Sequence, residues 1–455
     1  MKGKDKILVV GAGKSGIAAA SLLAETGKQP VLFDSNEELD KEAVKGKLGL
    51  AAKDIEIVCG EVPESLREEI GELVLSPGVP IDSPFVEAFR REGALINGEI
   101  ELAFSCEKGT LIAITGTNGK TTTTSLVGKI LNDYNHKTFV VGNIGNPYTG
   151  EVLKSREDTV TVAEISSFQL ETADRFKPHI SAILNLTPDH LNRHHTMEQY
   201  VAEKEKIARK QDENDFLILN HNDPLLREFG ENRDQALKCK IVWFDSTGKL
   251  ENGYYYSEGD IYVNQDGTDI RLINKDEMNI IGLHNIENAM ASIAICSSFG
   301  VPMEQIIASL KEFKAVEHRI EFVKELDGVR YYNDSKGTNV DAAIKGIQAM
   351  DRRTVLIGGG YDKGAAFDDW IEAFDGKVKK LVLIGETAEQ IAECAKKHGF
   401  TDVVFAASLK EAVELCRKEA KSGDAVLLSP ACASWDMFES YEKRGELFKE
   451  LVNSL

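Results

Sequence analysis

The chain has no CxxC pair among its 7 cysteines, which stand scattered at positions 59, 106, 239, 296, 394, 416 and 432. An odd, dispersed set reads as reduced thiols in a cytoplasmic protein, and not as a disulfide framework or a zinc site. The 9 histidines include no HExxH spacing, so the zincin pattern is absent as well. No apolar run approaches the ~18 residues that a membrane span needs. The opening MKGKDKILVV breaks at Gly11-Ala12-Gly13-Lys14, too early for the core of a signal peptide. Positive charge is scarce: 54 bases against 74 acids leave a formal net charge of -20, which argues against a general nucleic-acid binder. Any phosphate chemistry must therefore come from local sites on an acidic body. Low-complexity tracts, fixed-period repeats and long linkers are missing too.

What is present is the grammar of an α/β protein. At 455 residues the chain exceeds one core, and ~150 residues per domain predicts about three. Short β-branched runs alternate with helical patterns: KILVV, PVLFD, IEIVCG and ELVLSPG, then TLIAIT, KTFVVG, TVTVAEI, HISAILNLT, DFLILN and KIVWFD. A third cycle follows with TVLIGGG, KLVLIGE, DVVFAAS and AVLLSPA. Strands alternating with helices predict parallel sheets. Two segments, 260–273 and 320–334, carry Asp-Gly at their centres and predict hairpins. The expected domains are 1–97, 98–315 and 316–455.

Two glycine-rich loops carry chemistry. In 111-LIAITGTNGKTTTT-124 a strand runs through Gly116, Thr117, Asn118, Gly119, Lys120, Thr121 and Thr122 into a helix. The usual P-loop has glycine where Ile114 stands, yet the physics survives. Unpaired amides and a helix dipole converge on an anion, Lys120 brings mobile positive charge, and a threonine hydroxyl can meet magnesium. Glu164, ending the run TVTVAE, is the leading magnesium candidate, since a strand-end carboxylate commonly holds the metal that bridges phosphates. The earlier loop, Gly11-Ala12-Gly13-Lys14-Ser15-Gly16, matches GxGxxG, with Asp34 at the end of the next strand. That spacing fits a dinucleotide, another diphosphate ligand or a structural turn. A histidine-rich stretch, 189-DHLNRHH-195, precedes a helix bearing Lys204; alone, each is an ordinary surface feature.

Taken in order, GTNGKTTTT, EISSFQLE, LNLTPDHLNRH, the Lys204 helix, LHNIENAMA, EHRIE, NDSKGTN and SPACASWDMF resemble the Mur ligases over essentially the whole chain. These enzymes use ATP to add amino acids to the UDP-muramoyl precursor of the bacterial cell wall. GAGKSG, VGNIG at 141–145 and SPACAS are similar to the D-glutamate-adding branch. The resemblance implies a Rossmann-like N-terminal domain for the UDP precursor, a central P-loop ATPase-type domain and a C-terminal Rossmann-like domain. It implies that the first loop holds a sugar nucleotide's diphosphate while the second holds ATP. The substrates would be UDP-N-acetylmuramoyl-L-alanine, D-glutamate and ATP, joined through an acyl phosphate in a cytoplasmic monomer.

Carried over by position, Gly13, Lys14, Ser15, Gly16, Asp34, Ser35 and Asn36 match the uridine and diphosphate region, and Ser76, Pro77, Asn143 and His190 lie near the precursor. Lys120, Thr121 and Glu164 match the ATP and first-magnesium site; Asn285, Asn288, Arg319 and Asp334 match positions that reach ATP from the linker and the third domain. Lys336, Thr338, Lys363, Ser434 and Tyr441 match the surroundings of the incoming amino acid. Lys204 matches a position that carries a carbamate, so that N6-carboxylysine, with Thr121, Glu164 and His190, would bind two magnesium ions. His190 could instead help deprotonate the amine. Rival readings are a NAD(P)-dependent oxidoreductase built on GAGKSG, a P-loop ATPase or GTPase switch, and a Mur-type ligase for L-alanine, a diamino acid or a dipeptide. No Asp-Asn-Pro-Arg run of the diaminopimelate-adding kind occurs.

Overall fold

The computed structural model describes residues 4–134, 136–232, 237–314 and 316–455. Residues 1–3, at the head of the run weighed as a signal peptide, and residue 315, an expected domain boundary, lie outside the described residues. The chain divides into two compact units, Met1–Ile273 with Glu287–Leu310, and Asn274–Ile286 with Lys311–Leu455. The fold is three α/β domains, each with its own sheet.

The first unit holds two of these sheets. Five parallel strands lie in the order Glu56–Cys59, Gln29–Asp34, Lys6–Val10, Ile70–Leu75, Leu95–Gly98. Ile7 to Val10 of the central strand Lys6–Val10 are buried on both faces, as helix-covered parallel strands are. Helix Lys14–Glu25 starts so close to the loop after Val10 that a Cβ on Gly16 would sit 1.8 Å from the Gly11 carbonyl oxygen. Glycine is required there. Strand Leu95–Gly98 was not legible as a run, because this edge strand leaves Leu95 exposed and offers little apolar pattern.

The second sheet has nine strands, in the order Thr268–Asn274, Asp260–Gln265, Gly253–Ser257, Lys240–Asp245, Phe216–Asn220, Ile180–Ile183, Thr110–Thr115, Thr159–Glu164, Lys137–Gly142. Pairing is parallel from Lys137–Gly142 through to Gly253–Ser257, where Asp260–Gln265 turns antiparallel. The Asp266-Gly267 turn has φ of 52° and 83°, the left-handed pair a two-residue hairpin needs. Strand Gly253–Ser257 escaped the sequence reading, since GYYYS shows no alternation.

The second unit holds six strands, Glu321–Leu326, Val329–Asn333, Ala425–Leu428, Thr354–Gly358, Val378–Leu383, Val403–Phe405. The first pair is the expected Asp327-Gly328 hairpin, and the rest are parallel. Open parallel sheets present their ligand loops outside the carboxyl ends of the strands, and the loops of Lys14, Lys120, Lys336, Lys363 and Ser434 each follow such an end, while Lys204, Asn285 and Asn288 lie on helices. The seven cysteines are all free thiols. Among the described residues, no helix is long and apolar enough to cross a membrane.

Candidate active site

The Lys120 loop joins strand Thr110–Thr115 to helix Lys120–Asp133. Gly119, at φ 85°, takes the left-handed conformation that caps this helix, and a Cβ there would meet Asn288 Oδ1 at 2.2 Å. Asn288 thus lies directly against the loop and also accepts from Thr123 Oγ1 at 3.3 Å. Asn185 braces the other side: its Oδ1 accepts from the Asn118 amide at 2.8 Å, and its Nδ2 donates to the Asn118 carbonyl at 3.1 Å. The Thr117 hydroxyl lies 2.9 Å from the Tyr200 hydroxyl and donates to the Thr187 carbonyl. Lys120 Nζ turns back on the loop and donates to the carbonyls of Gly116 and Thr117, both at 2.8 Å. Thr121 and Thr122 are buried in the helix's first turn.

Strand Thr159–Glu164 pairs with the loop-bearing strand so that Glu164 lies opposite Ile114, two residues before Gly116. Glu164 is buried; Asn143 Nδ2 donates to its Oε1 at 3.0 Å, while Oε2 has no hydrogen-bond partner. An unpaired buried carboxylate oxygen is costly, and a divalent cation is a chemically apt partner for it. Lys204 is buried as well, with Nζ 2.9 Å from the Gly116 carbonyl and 3.2 Å from Thr115 Oγ1. Burial, followed by repulsion from Lys120, pulls its pKa well below that of an ordinary lysine. The residues present therefore fit a metal site.

The three histidines of the DHLNRHH stretch separate. His190 has φ 54° and a half-exposed ring tilted at 57° against that of Phe168, with Nε2 3.4 Å from Asp189 Oδ2. His194 is buried against Ser167, its Nε2 and the hydroxyl 2.9 Å apart, and burial lowers its pKa to about 4. His195 stays on the surface near Asp82.

In the first loop, Asp34 accepts from the Ala12 amide at 2.8 Å and from the Asn36 amide at 3.0 Å. The acid expected beside a ribose therefore also holds the glycine loop in shape. Ser15 lies in the first turn of helix Lys14–Glu25, and Ser35 and Asn36 are exposed just after their strand. Ser76 Oγ donates to the Gly11 carbonyl at 3.3 Å, and Pro77 follows it. Lys14 Nζ reaches the Gly145 carbonyl at 2.5 Å, bringing GAGKSG against VGNIG. A cavity of about 650 Å³ opens beside this loop, lined by Gly13, Lys14, Lys47 and Pro147. Lys120 is not among its lining residues. Arg193 was not foreseen. It pairs two-pronged with Glu171, at 3.0 and 2.5 Å, and its Nη2 donates to the Val79 carbonyl at 2.9 Å, three residues past Ser76.

The second unit assembles its own cluster at the ends of three adjacent strands, Val329–Asn333, Ala425–Leu428 and Thr354–Gly358. Lys336 Nζ lies 5.4 Å from the Tyr441 ring centre, and Lys363 Nζ 5.0 Å from that of Trp435. Thr338 lies two residues on, with its amide bonded to the Lys336 carbonyl. The Ser434 hydroxyl is buried and without a partner, as is Arg319 Nε. Asp334 accepts from Ser429 Oγ at 2.6 Å, and burial pushes its pKa up to about 7. Asn285 Nδ2 donates to the Ile281 carbonyl at 2.8 Å. Arg444 was missed by the sequence reading: fully buried, it binds the Ser335 hydroxyl and carbonyl and the carbonyls of Cys432 and Ala433. One guanidinium thus ties the NDSKGTN loop to SPACAS.

Three family models match in series: Mur ligase MurD-like, N-terminal domain over 5–98; Mur ligase middle domain over 114–296; and Mur ligase, glutamate ligase domain over 318–432. A UDP-N-acetylmuramoylalanine–D-glutamate ligase of Lachnospira eligens is 55% identical over 99% of this chain and 98% of its own. The chain belongs to the Mur ligase family. Another ligase of the same name, from Clostridioides difficile, is 46% identical over 100% of this chain and 99% of its own. Among solved structures, the UDP-N-acetylmuramate-alanine ligase of Thermotoga maritima superposes with a TM-score of 0.61 at 21% identity, covering 99% of each chain. A pseudomurein peptide ligase of Methanothermus fervidus gives 0.58 at 19%, again over 99% of each chain. At those identities the solved Mur ligases speak to the fold.

Proposed function

We propose that this Mur ligase joins D-glutamate to UDP-N-acetylmuramoyl-L-alanine, converting ATP to ADP and phosphate, in the cytoplasmic synthesis of peptidoglycan precursor. The amino acid and acceptor are those in the names of its relatives. The observation that carries the chemistry is Glu164, whose buried, unpartnered Oε2 stands on the strand beside the Lys120 loop.

A carboxylate is a poor electrophile, so the precursor's terminal carboxylate first attacks the γ-phosphorus of ATP, and ADP leaves. Lys120 exchanges its two loop carbonyls for phosphate oxygens, and the amides of Gly119 to Thr122 at the helix start orient the triphosphate, with Asn288 against the loop. The D-glutamate amine then attacks the acyl phosphate's carbonyl carbon, a tetrahedral species forms, and phosphate departs. Lys336 and Lys363, with Thr338, Ser434 and Tyr441, would clamp the two carboxylates of D-glutamate. Asn285 would hold ATP from the linker side, and Arg319 and Asp334 would reach it from the third domain on domain closure.

Thr121, Glu164, His190 and carboxylated Lys204 would hold two magnesium ions. When bound, these would offset the charge that gathers on the transferring phosphoryl group. Lys204 is suited to carboxylation because burial, followed by repulsion from Lys120, lowers its pKa and so favours the neutral, nucleophilic amine. The nitrogen lone pair forms the N–C bond to CO2, a C=O pair moves to oxygen, and a proton leaves. His190 would either bind metal or take the amine's proton. On the precursor side, Gly13, Lys14, Ser15, Gly16, Asp34, Ser35 and Asn36 would hold uridine and diphosphate, with Ser76, Pro77 and Asn143 nearer the reacting end. We expect a monomer.

The test is phosphate release from ATP with UDP-N-acetylmuramoyl-L-alanine present, offering amino acids singly. D-Glutamate should stand out and Lys120→Ala should abolish the signal. A preference for L-alanine with the UDP-muramic acid precursor would overturn the substrate assignment, and absence of any amide product would overturn the reaction.

A further inference from the structure

The sequence shows no metal-ligand spacing among its cysteines, yet folding builds one mixed cluster in the third domain. Helix Ala388–Lys397 places Cys394 one turn before His398, its C-cap, and Asp368 begins helix Asp368–Glu372 alongside. A thiol sulfur, a ring nitrogen and a carboxylate oxygen from these three residues all lie within 4.8 Å of one another. His398 Nε2 is 2.8 Å from Asp368 Oδ1, while its Nδ1 faces Glu372 Oε1 at 3.5 Å. That second contact matters, because metal-bound histidines characteristically give their other N–H to a carboxylate, which fixes ring orientation and tautomer.

The helix follows strand Val378–Leu383 and runs back from the carboxyl edge of the sheet. His398, at its far end, therefore belongs to the edge opposite the Lys336, Lys363 and Ser434 loops. We propose that Asp368, Cys394 and His398 form a binding site for a late first-row divalent cation of the zinc type, separate from the reaction centre. The S, N, O donor set suits zinc or cobalt and is a poor match for magnesium, which prefers oxygen alone. Three protein donors leave a fourth, solvent-facing position. Lys397 Nζ now holds Asp368 Oδ1 at 2.8 Å, and its side chain is 71% exposed. It can swing into water when a dication replaces it.

The full-length chain, stripped with chelator, is titrated with Co2+ as a spectroscopic probe and then with Zn2+ against a chromophoric chelator. One equivalent should bind, with Kd on the order of 1 µM, and show thiolate-to-cobalt charge transfer. Cys394→Ser should remove that band, His398→Gln should weaken binding at least about ten-fold, and Lys397→Met should tighten it. Circular dichroism confirms that each variant is folded. No saturable binding, a band that survives Cys394→Ser, or displacement by equimolar Mg2+ would each overturn the proposal. None of these readings depends on ligase activity.

Discussion

Asn143 Nδ2 donates to Glu164 Oε1 at 3.0 Å and leaves Glu164 Oε2 buried without a partner. The carboxylate is oriented by one side chain and unsatisfied on its other side, an arrangement better suited to a cation than to stability. Glu164→Gln should lower kcat by about 10²-fold or more and raise the magnesium concentration needed. The same variant should melt no earlier than the parent in the absence of magnesium. A marked loss of Tm would show that Glu164 is structural.

Lys204 should take up CO2. Protein equilibrated with 13C-bicarbonate should show a carbamate resonance that is missing from Lys204→Arg, whose activity should fall by about 10²-fold or more. A spectrum identical in both proteins would count against N6-carboxylysine.

Arg193 joins the middle domain's Glu171 to the backbone three residues past Ser76. Arg193→Lys keeps the charge but loses the fork. We expect the KM for the UDP precursor to rise about ten-fold, near 1.4 kcal/mol, while the KM for ATP is unchanged. Equal rises in both would point to general loosening instead of a role in the precursor loop.

The Ser434 hydroxyl is buried and unpartnered, so Ser434→Ala removes a group that folding does not satisfy. Tm should hold or rise, while the KM for D-glutamate rises about five- to ten-fold, the worth of one hydrogen bond. An unchanged KM would remove Ser434 from the amino-acid site.

Glu99 supplies a pH signature. Burial pushes its carboxyl up to about 7 despite a hydrogen bond from Gln169, and its Oε2 lacks a partner. Between the ordinary glutamate value and about 7 the folded chain binds more protons than the unfolded chain, so this group's contribution falls as pH rises. Glu99→Gln should therefore gain stability relative to the parent between about pH 4.5 and 7, as read from urea midpoints. A constant difference across that window would refute the shift.

Local pattern explains what could be read early. Alternating apolar runs and Asp-Gly turns are short-range properties, so most strands and both hairpins were legible. The strands that escaped, Leu95–Gly98 and Gly253–Ser257, gain their definition from a neighbour and not from their own pattern. Arg193 and Arg444 were illegible for a related reason: an arginine on a helix is ordinary until its distant partners, Glu171 and Ser335, are in place.

The chain's order of motifs was enough to establish the three-domain α/β fold and the family, because each depends on residues close together along the backbone. Only the tertiary structure decided which groups are left unsatisfied, that Lys204 is desolvated beside Gly116, and that Asp368 meets Cys394 and His398. Burial and charge proximity are set by what packs across sheets and between helices, and no local spacing records that.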